Sequence, residues 1–147
     1  MKAKEYLLQI RKIDRLVENK IAELEHWQAI ATGTTTFSDG DRVQSTGNKY
    51  KMEDAIIKCI EINNEINSEI DRLVDTRKEV ISTIERLKPS EYDVLHKIYV
   101  QNKDFQEIAT AKKMSYSWVT TKHGRALASL QKILDEREKN EEVWHSI

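Results

Sequence analysis

Between Ile108 and Leu134 the chain carries Lys112, Lys113, Lys122, Arg125 and Lys132 and not one Asp or Glu. Five hydroxyl-bearing residues stand between Lys113 and Lys122: Ser115, Tyr116, Ser117, Thr120 and Thr121. Ammonium and guanidinium groups neutralise phosphates and so fix position, whereas Ser and Thr hydroxyls can meet either phosphate oxygens or base edges. Cations and small hydroxyls in one short segment are an electrostatic footprint for DNA. If about five phosphates are neutralised, log K falls against log salt with a slope of about −4 to −5.

The whole-chain balance hides this footprint. Formal net charge is −1, with 33% charged and 39% hydrophobic residues over 147 positions, the composition of an ordinary helix-rich protein. Residues 1–87 hold 14 basic and 16 acidic groups, residues 88–134 hold 8 and 4, and residues 135–147 hold 2 and 5. Positive charge is therefore concentrated in the middle segment, and the last segment is an acidic tail. That tail ends in Val143, Trp144 and Ile147, so fraying, docking on a neighbour and shielding of the basic face all stay open. No run of about 18 apolar residues is present, and Met1-Lys2-Ala3-Lys4-Glu5 lacks the apolar core of a signal peptide, so a cytoplasmic protein is expected. Cys59 is the only cysteine, which excludes an internal disulfide and suits a small apolar core position.

The elements that must position the cationic segment are legible from Pro89 onward. Pro89 ends a long helix near Leu87, and Ser90-Glu91 opens a new one with Val94, Leu95, Ile98 and Tyr99 on one face. Gln101-Asn102-Lys103 makes a turn. Asp104 then caps a short helix, with Glu107 as its reciprocal partner and Phe105, Ile108 and Ala109 facing inward. Lys113-Met114 turns the chain, and Ser115 caps a last helix whose inner stripe and edge are Trp118, Val119, Lys122, Ala126, Leu127 and Leu130. Ser115, Tyr116, Ser117, Thr120 and Thr121 then lie on the outer, N-terminal part of that helix, the part that enters a major groove.

The N-terminal half reads as two long helices. Positions 3, 6, 10, 13, 17, 20, 24, 27 and 31 keep a 3-4 spacing that is apolar except at Lys20, and His26-Trp27 marks the end of this helix. A second seam runs through 52, 56, 59, 63, 66, 70, 73, 77, 80, 84 and 87, interrupted at Asn63 and Arg77, which either set register or reach solvent from the edge. Between them, 32–49 holds three of the four glycines and no helical period, and reads as a mobile loop. The fold expected is all-α: an antiparallel helical hairpin or coiled coil over 1–87, a helix-turn-helix module over 88–134 and the tail 135–147. Leu7, Ile21, Ile60, Val74 and Ile81 broaden the apolar faces beyond a two-helix contact, so homo-oligomerisation through 1–87 is expected, with docking on the C-terminal module as the alternative.

The run Leu87-Lys88-Pro89, Val94-Leu95, Tyr99-Val100, Phe105-Gln106-Glu107-Ile108-Ala109, Met114-Ser115, Val119 and Arg125-Ala126-Leu127 with Leu130 resembles region 4 of the sigma-70 factors, without gaps over about 44 residues. With its long helical first half, its Gly/Ser/Thr-rich loop and its Tyr116-Ser117-Trp118 to Gly124-Arg125-Ala126-Leu127 ending, the chain also resembles phage and prophage late-gene regulators of the RinA and ArpU type. The resemblance implies double-stranded promoter DNA as partner, groove-facing residues at Tyr116, Ser117, Thr120 and Thr121, and contact with RNA polymerase. The sequence departs from that pattern at Lys113, where Gly is usual, at Lys112, where an apolar residue is usual, and at His123-Gly124 within the reading helix.

Two other readings compete: a DNA-packaging component resembling a phage terminase small subunit, and a coiled-coil adaptor that binds no DNA. No enzyme, cofactor or metal is expected. His26, His96, His123 and His145 lack ligand spacing, no Gly-rich loop precedes a Lys-Ser or Lys-Thr pair, and Asp39 with Asp41 or Glu69 with Asp71 read as solvated surface.

Overall fold

A computed structural model of the chain describes residues 1–33 and 46–146. These residues form α1 (Ala3–Ala31), α2 (Thr46–Ile84), α3 (Pro89–Leu95), α4 (Phe105–Lys112) and α5 (Tyr116–His145), with a π-helical turn, His96–Val100, continuing α3. The described residues are all-helical. None of these helices is long and apolar enough to cross a membrane.

The loop expected over 32–49 lies mostly outside the described residues. Its first two positions end α1, with Gly33 in the left-handed region at φ +69°, where an absent Cβ removes the strain. From Thr46 onward the chain is already helix rather than loop. At the other end of α2, Arg86 N–H donates to Thr83 O and Leu87 N–H to Ile84 O, so the last turn tightens before the proline. Ser90 is not the cap of α3. Lys88 occupies that place in extended backbone, and Pro89 takes the first helical position, where its missing N–H leaves no donor unsatisfied.

The chain divides into two compact units, Met1–Lys12 with Val74–Ile147, and Ile13–Leu73. This division differs from the boundary drawn at residue 87, because the first turns of α1 and the last of α2 belong with the C-terminal helices.

In the first unit α3 and α4 both pack on α5 around Val94, Leu95, Ile108, Val119, Ala126 and Leu130, each inaccessible to solvent. The start of α1 is tied to the same helices. Ala3 N–H donates to Gln131 Oε1 at 2.8 Å, and Arg11 donates to Asn102 Oδ1 at 3.0 Å and to Ile98 O within the π turn. Leu7, expected beside the seam, is fully covered. The tail is not a separate segment either: α5 runs on to His145, Leu134 is buried, and Arg137 reaches Glu79 and Thr83 at 2.8 and 2.7 Å.

In the second unit Ile13 and Val17 of α1 and Ala55, Ile62 and Ile66 of α2 are buried. Lys20, the polar exception in the first seam, lays its stem along that face and places its ammonium 2.8 Å from Glu65. The pairing raises the Lys20 pKa and lowers that of Glu65. The first seam matches the burial throughout, while the second is corrected in one of its two rows. Cys59, Ile66, Leu73, Val80 and Ile84 face inward as expected, whereas Met52 is exposed and Ala55, Ile62, Glu69 and Thr76 are covered in place of 56, 63, 70 and 77, each one residue earlier. Asn63 and Arg77 are exposed and do not interrupt the buried seam. Pattern reading favours Ile56 and Ile70 for their hydrophobicity, whereas the covered row holds the smaller Ala55, Thr76 and Thr83 beside Ile62.

Candidate nucleic-acid interface

The junction of α4 and α5 is built by two caps and one left-handed residue. Asp104 lies in extended backbone and its carboxylate accepts the Glu107 N–H at 2.8 Å, while Ser115 Oγ accepts the Trp118 N–H at 3.0 Å. Lys113 sits between them at φ +56° and ψ +38°, and the Met114 N–H closes the α4 terminus on Ala109 O at 3.0 Å. The position usually given to glycine is therefore left-handed here with a lysine in it.

On α5 the core direction is defined by Val119, Ala126 and Leu130. Ser117, Thr121, Gly124, Arg125 and Ala128 lie opposite and are exposed. Among the described residues nothing beyond the local helix backbone lies within 4 Å of where a Cβ on Gly124 would stand, so none of them requires glycine there. Tyr116 is 53% exposed and its ring leans on Phe105 with centroids 5.9 Å apart. Thr120 is half-buried, and its hydroxyl donates to Ser117 O at 2.9 Å, leaving its acceptor lone pairs outward. Lys113 and Ser115 are exposed at the tip.

Lys112 and Lys122 flank the Trp118 ring, each ammonium 5.9 Å from its centroid. Trp118 is thus a partly exposed aromatic between two cations rather than a core residue. Lys112 also pairs with Asp93 of α3, which holds Lys97 as well. Partial burial pushes the Asp93 carboxyl up, but hydrogen bonds from Lys112 and Lys97 outweigh it and hold the group below the usual carboxylate range. The segment free of acid in sequence is thus not free of acid in space, and Lys112 is the least available of the expected phosphate ligands. Lys97 joins the surface without having been singled out by sequence, and Trp118, expected on the inner stripe or edge of the helix, joins it from the edge. The Asp93 to Lys97 spacing of four was readable, whereas the approach of Lys112 required the packing of α4 near α3.

His123, one of the departures, is a wedge under this surface. Its Nε2 lies 2.7 Å from the Tyr99 hydroxyl, and its ring sits 5.7 Å from Tyr99 and 5.0 Å from Phe105. Burial, and secondarily the charge of Lys4, lower its pKa and favour the neutral ring. Arg11 covers the other side of the same cluster, 5.3 Å from the Tyr99 centroid.

In the second unit a cleft of about 530 Å³ has Trp27, Ile30 and Ile57 in its walls, with two lysines balanced by Asp54 and Glu61, so it offers no surplus positive charge for an anion. Among the described residues no three His, Cys, Asp or Glu side chains form a group able to hold a metal ion. No family model matches the chain, and no curated protein or solved structure is similar to it.

Proposed function

We propose that the chain is a sequence-specific DNA-binding regulator of transcription, of phage or prophage origin, in which α4 and α5 act as a helix-turn-helix resembling sigma region 4. The observation that carries this reading is the outer face of α5. Ser117, Thr121, Gly124, Arg125 and Ala128 form an exposed strip of small and polar side chains with a single guanidinium, narrow enough for the helix to approach base edges closely. Lys113 and Lys122 border it and supply phosphate contacts, and Ser115 exposes the helix N-terminus, whose partial positive charge favours an anion. Promoter DNA and RNA polymerase are the partners that the sequence resemblance suggests.

Because Lys112 is shared with Asp93, about four phosphates rather than five are expected to be neutralised, giving a salt slope of about −3.6. The test is selection of bound fragments from host and phage DNA, followed by titration at several salt concentrations. Arg125→Ala and Thr121→Ala should each abolish preference for the selected site while leaving the helical circular-dichroism spectrum unchanged. Weak retention that is blind to sequence and to both substitutions would refute the reading.

A further inference from the structure

We infer that α2 pairs with α2 of a second copy of this chain, in antiparallel orientation, about a two-fold axis close to Glu65. The buried seam leaves a second heptad row on the same helix exposed: Glu53, Ile56, Ile60, Asn63, Asn67, Ile70, Val74 and Arg77, at alternating spacings of three and four. Ile56, Ile60, Ile70 and Val74 are 49, 58, 40 and 43% exposed, which four large aliphatic side chains on one row do not require of a protein that buries them elsewhere.

The order of residue types identifies the partner. Read from either end the row is the same: aliphatic, aliphatic, Asn, Asn, aliphatic, aliphatic, with opposite charges outside. An antiparallel copy centred on residue 65 sets Ile56 against Val74, Ile60 against Ile70 and Asn63 against Asn67, each pair occurring twice. Such self-complementarity is what a two-fold interface demands, since residue i must suit j while j suits i, and an unrelated partner would impose no such mirror pattern. Charge chooses the orientation. Antiparallel pairing brings Glu53 of one copy to Arg77 of the other at both ends, whereas parallel pairing would oppose Glu53 to Glu53 and Arg77 to Arg77. The paired amides of Asn63 and Asn67 fix the register, because slipping the helices by one heptad would set Asn against aliphatic groups.

Sedimentation of the full chain over a hundredfold concentration range should give twice the 17.2 kDa chain mass at the upper end. Ile60→Glu, at an exposed position, should return it to a single chain with its helical spectrum kept. Glu53→Arg and Arg77→Glu should each weaken association roughly tenfold, and the double variant should recover it to near the parent. A chain that stays single throughout, showing that the face awaits another protein, overturns the inference. So does an unchanged mass with Ile60→Glu, or a double variant no better than the single ones, as a parallel pairing would give.

Discussion

His123, which departs from the sequence pattern that α5 resembles, becomes explicable through its neighbours. It fills the space between Tyr99 and Phe105 as a neutral ring and holds the Tyr99 hydroxyl. Burial lowers its pKa, and burial followed by the charges of Arg77 and Lys97 lowers that of His96. In the window below the usual imidazole value near 6.5 and above the depressed folded values, the unfolded chain takes up protons that the folded chain does not. Stability from these groups is therefore complete above that window and is lost as pH falls through it. The thermal midpoint should be lower at about pH 5.5 than at about pH 7.5, and His123→Phe should flatten part of that difference. An equal drop in the variant would show that the ring does not carry the effect.

Lys113 links the turn between α4 and α5 to the surface it presents. A non-glycine residue at φ +56° carries a backbone cost of about 1 kcal/mol relative to glycine. Lys113→Gly should raise stability by about that amount and, if the lysine holds a phosphate, weaken DNA binding and reduce the salt slope by about 0.9. Denaturant melts and DNA titration of one variant separate the two effects; a variant with unchanged affinity would remove Lys113 from the interface. Gly124, in the third turn of α5, follows the same logic. Glycine inside a helix is less favourable than alanine by about 1 kcal/mol, so Gly124→Ala should raise stability by about that amount, and on the proposed reading it should also weaken DNA binding by filling the space on the outer face.

At the scale of the whole chain, polar contacts join residues far apart in sequence. Tyr6 near the start, Glu79 and Thr83 at the end of α2 and Arg137 late in α5 form one network. The Tyr6 hydroxyl lies 2.9 Å from Thr83 Oγ1 and also donates to Glu79, and Thr83, which is fully buried, donates to Glu79 O at 2.9 Å. Thr83→Val keeps the shape and removes the hydroxyl, so Tyr6 and Arg137 lose a partner, at an expected cost of about 1–3 kcal/mol. Urea unfolding monitored by helicity measures it, and a midpoint unchanged by the substitution would show the network to be dispensable. A two-fold dimer through α2 would also give the DNA reading a symmetry, since fragments selected by such a dimer should carry inverted repeats.

Local chemistry alone specified much of this molecule. The period from Ala3 to Ala31, the breaks at Pro89 and Gly33, the caps at Asp104 and Ser115 and the turn at Lys113 follow from the conformational preferences of the residues and their immediate neighbours, and all are legible in order along the chain. Tertiary packing decided which of two adjacent rows on α2 is buried, because a 3-4 pattern is satisfied nearly as well by positions one residue apart and only the facing helix discriminates them. It also brought Asp93 to Lys112, Arg137 to Thr83 and His123 between two aromatic rings. Each of these joins side chains from separate helices, and no sequence spacing encodes a distance that exists only after the helices have packed.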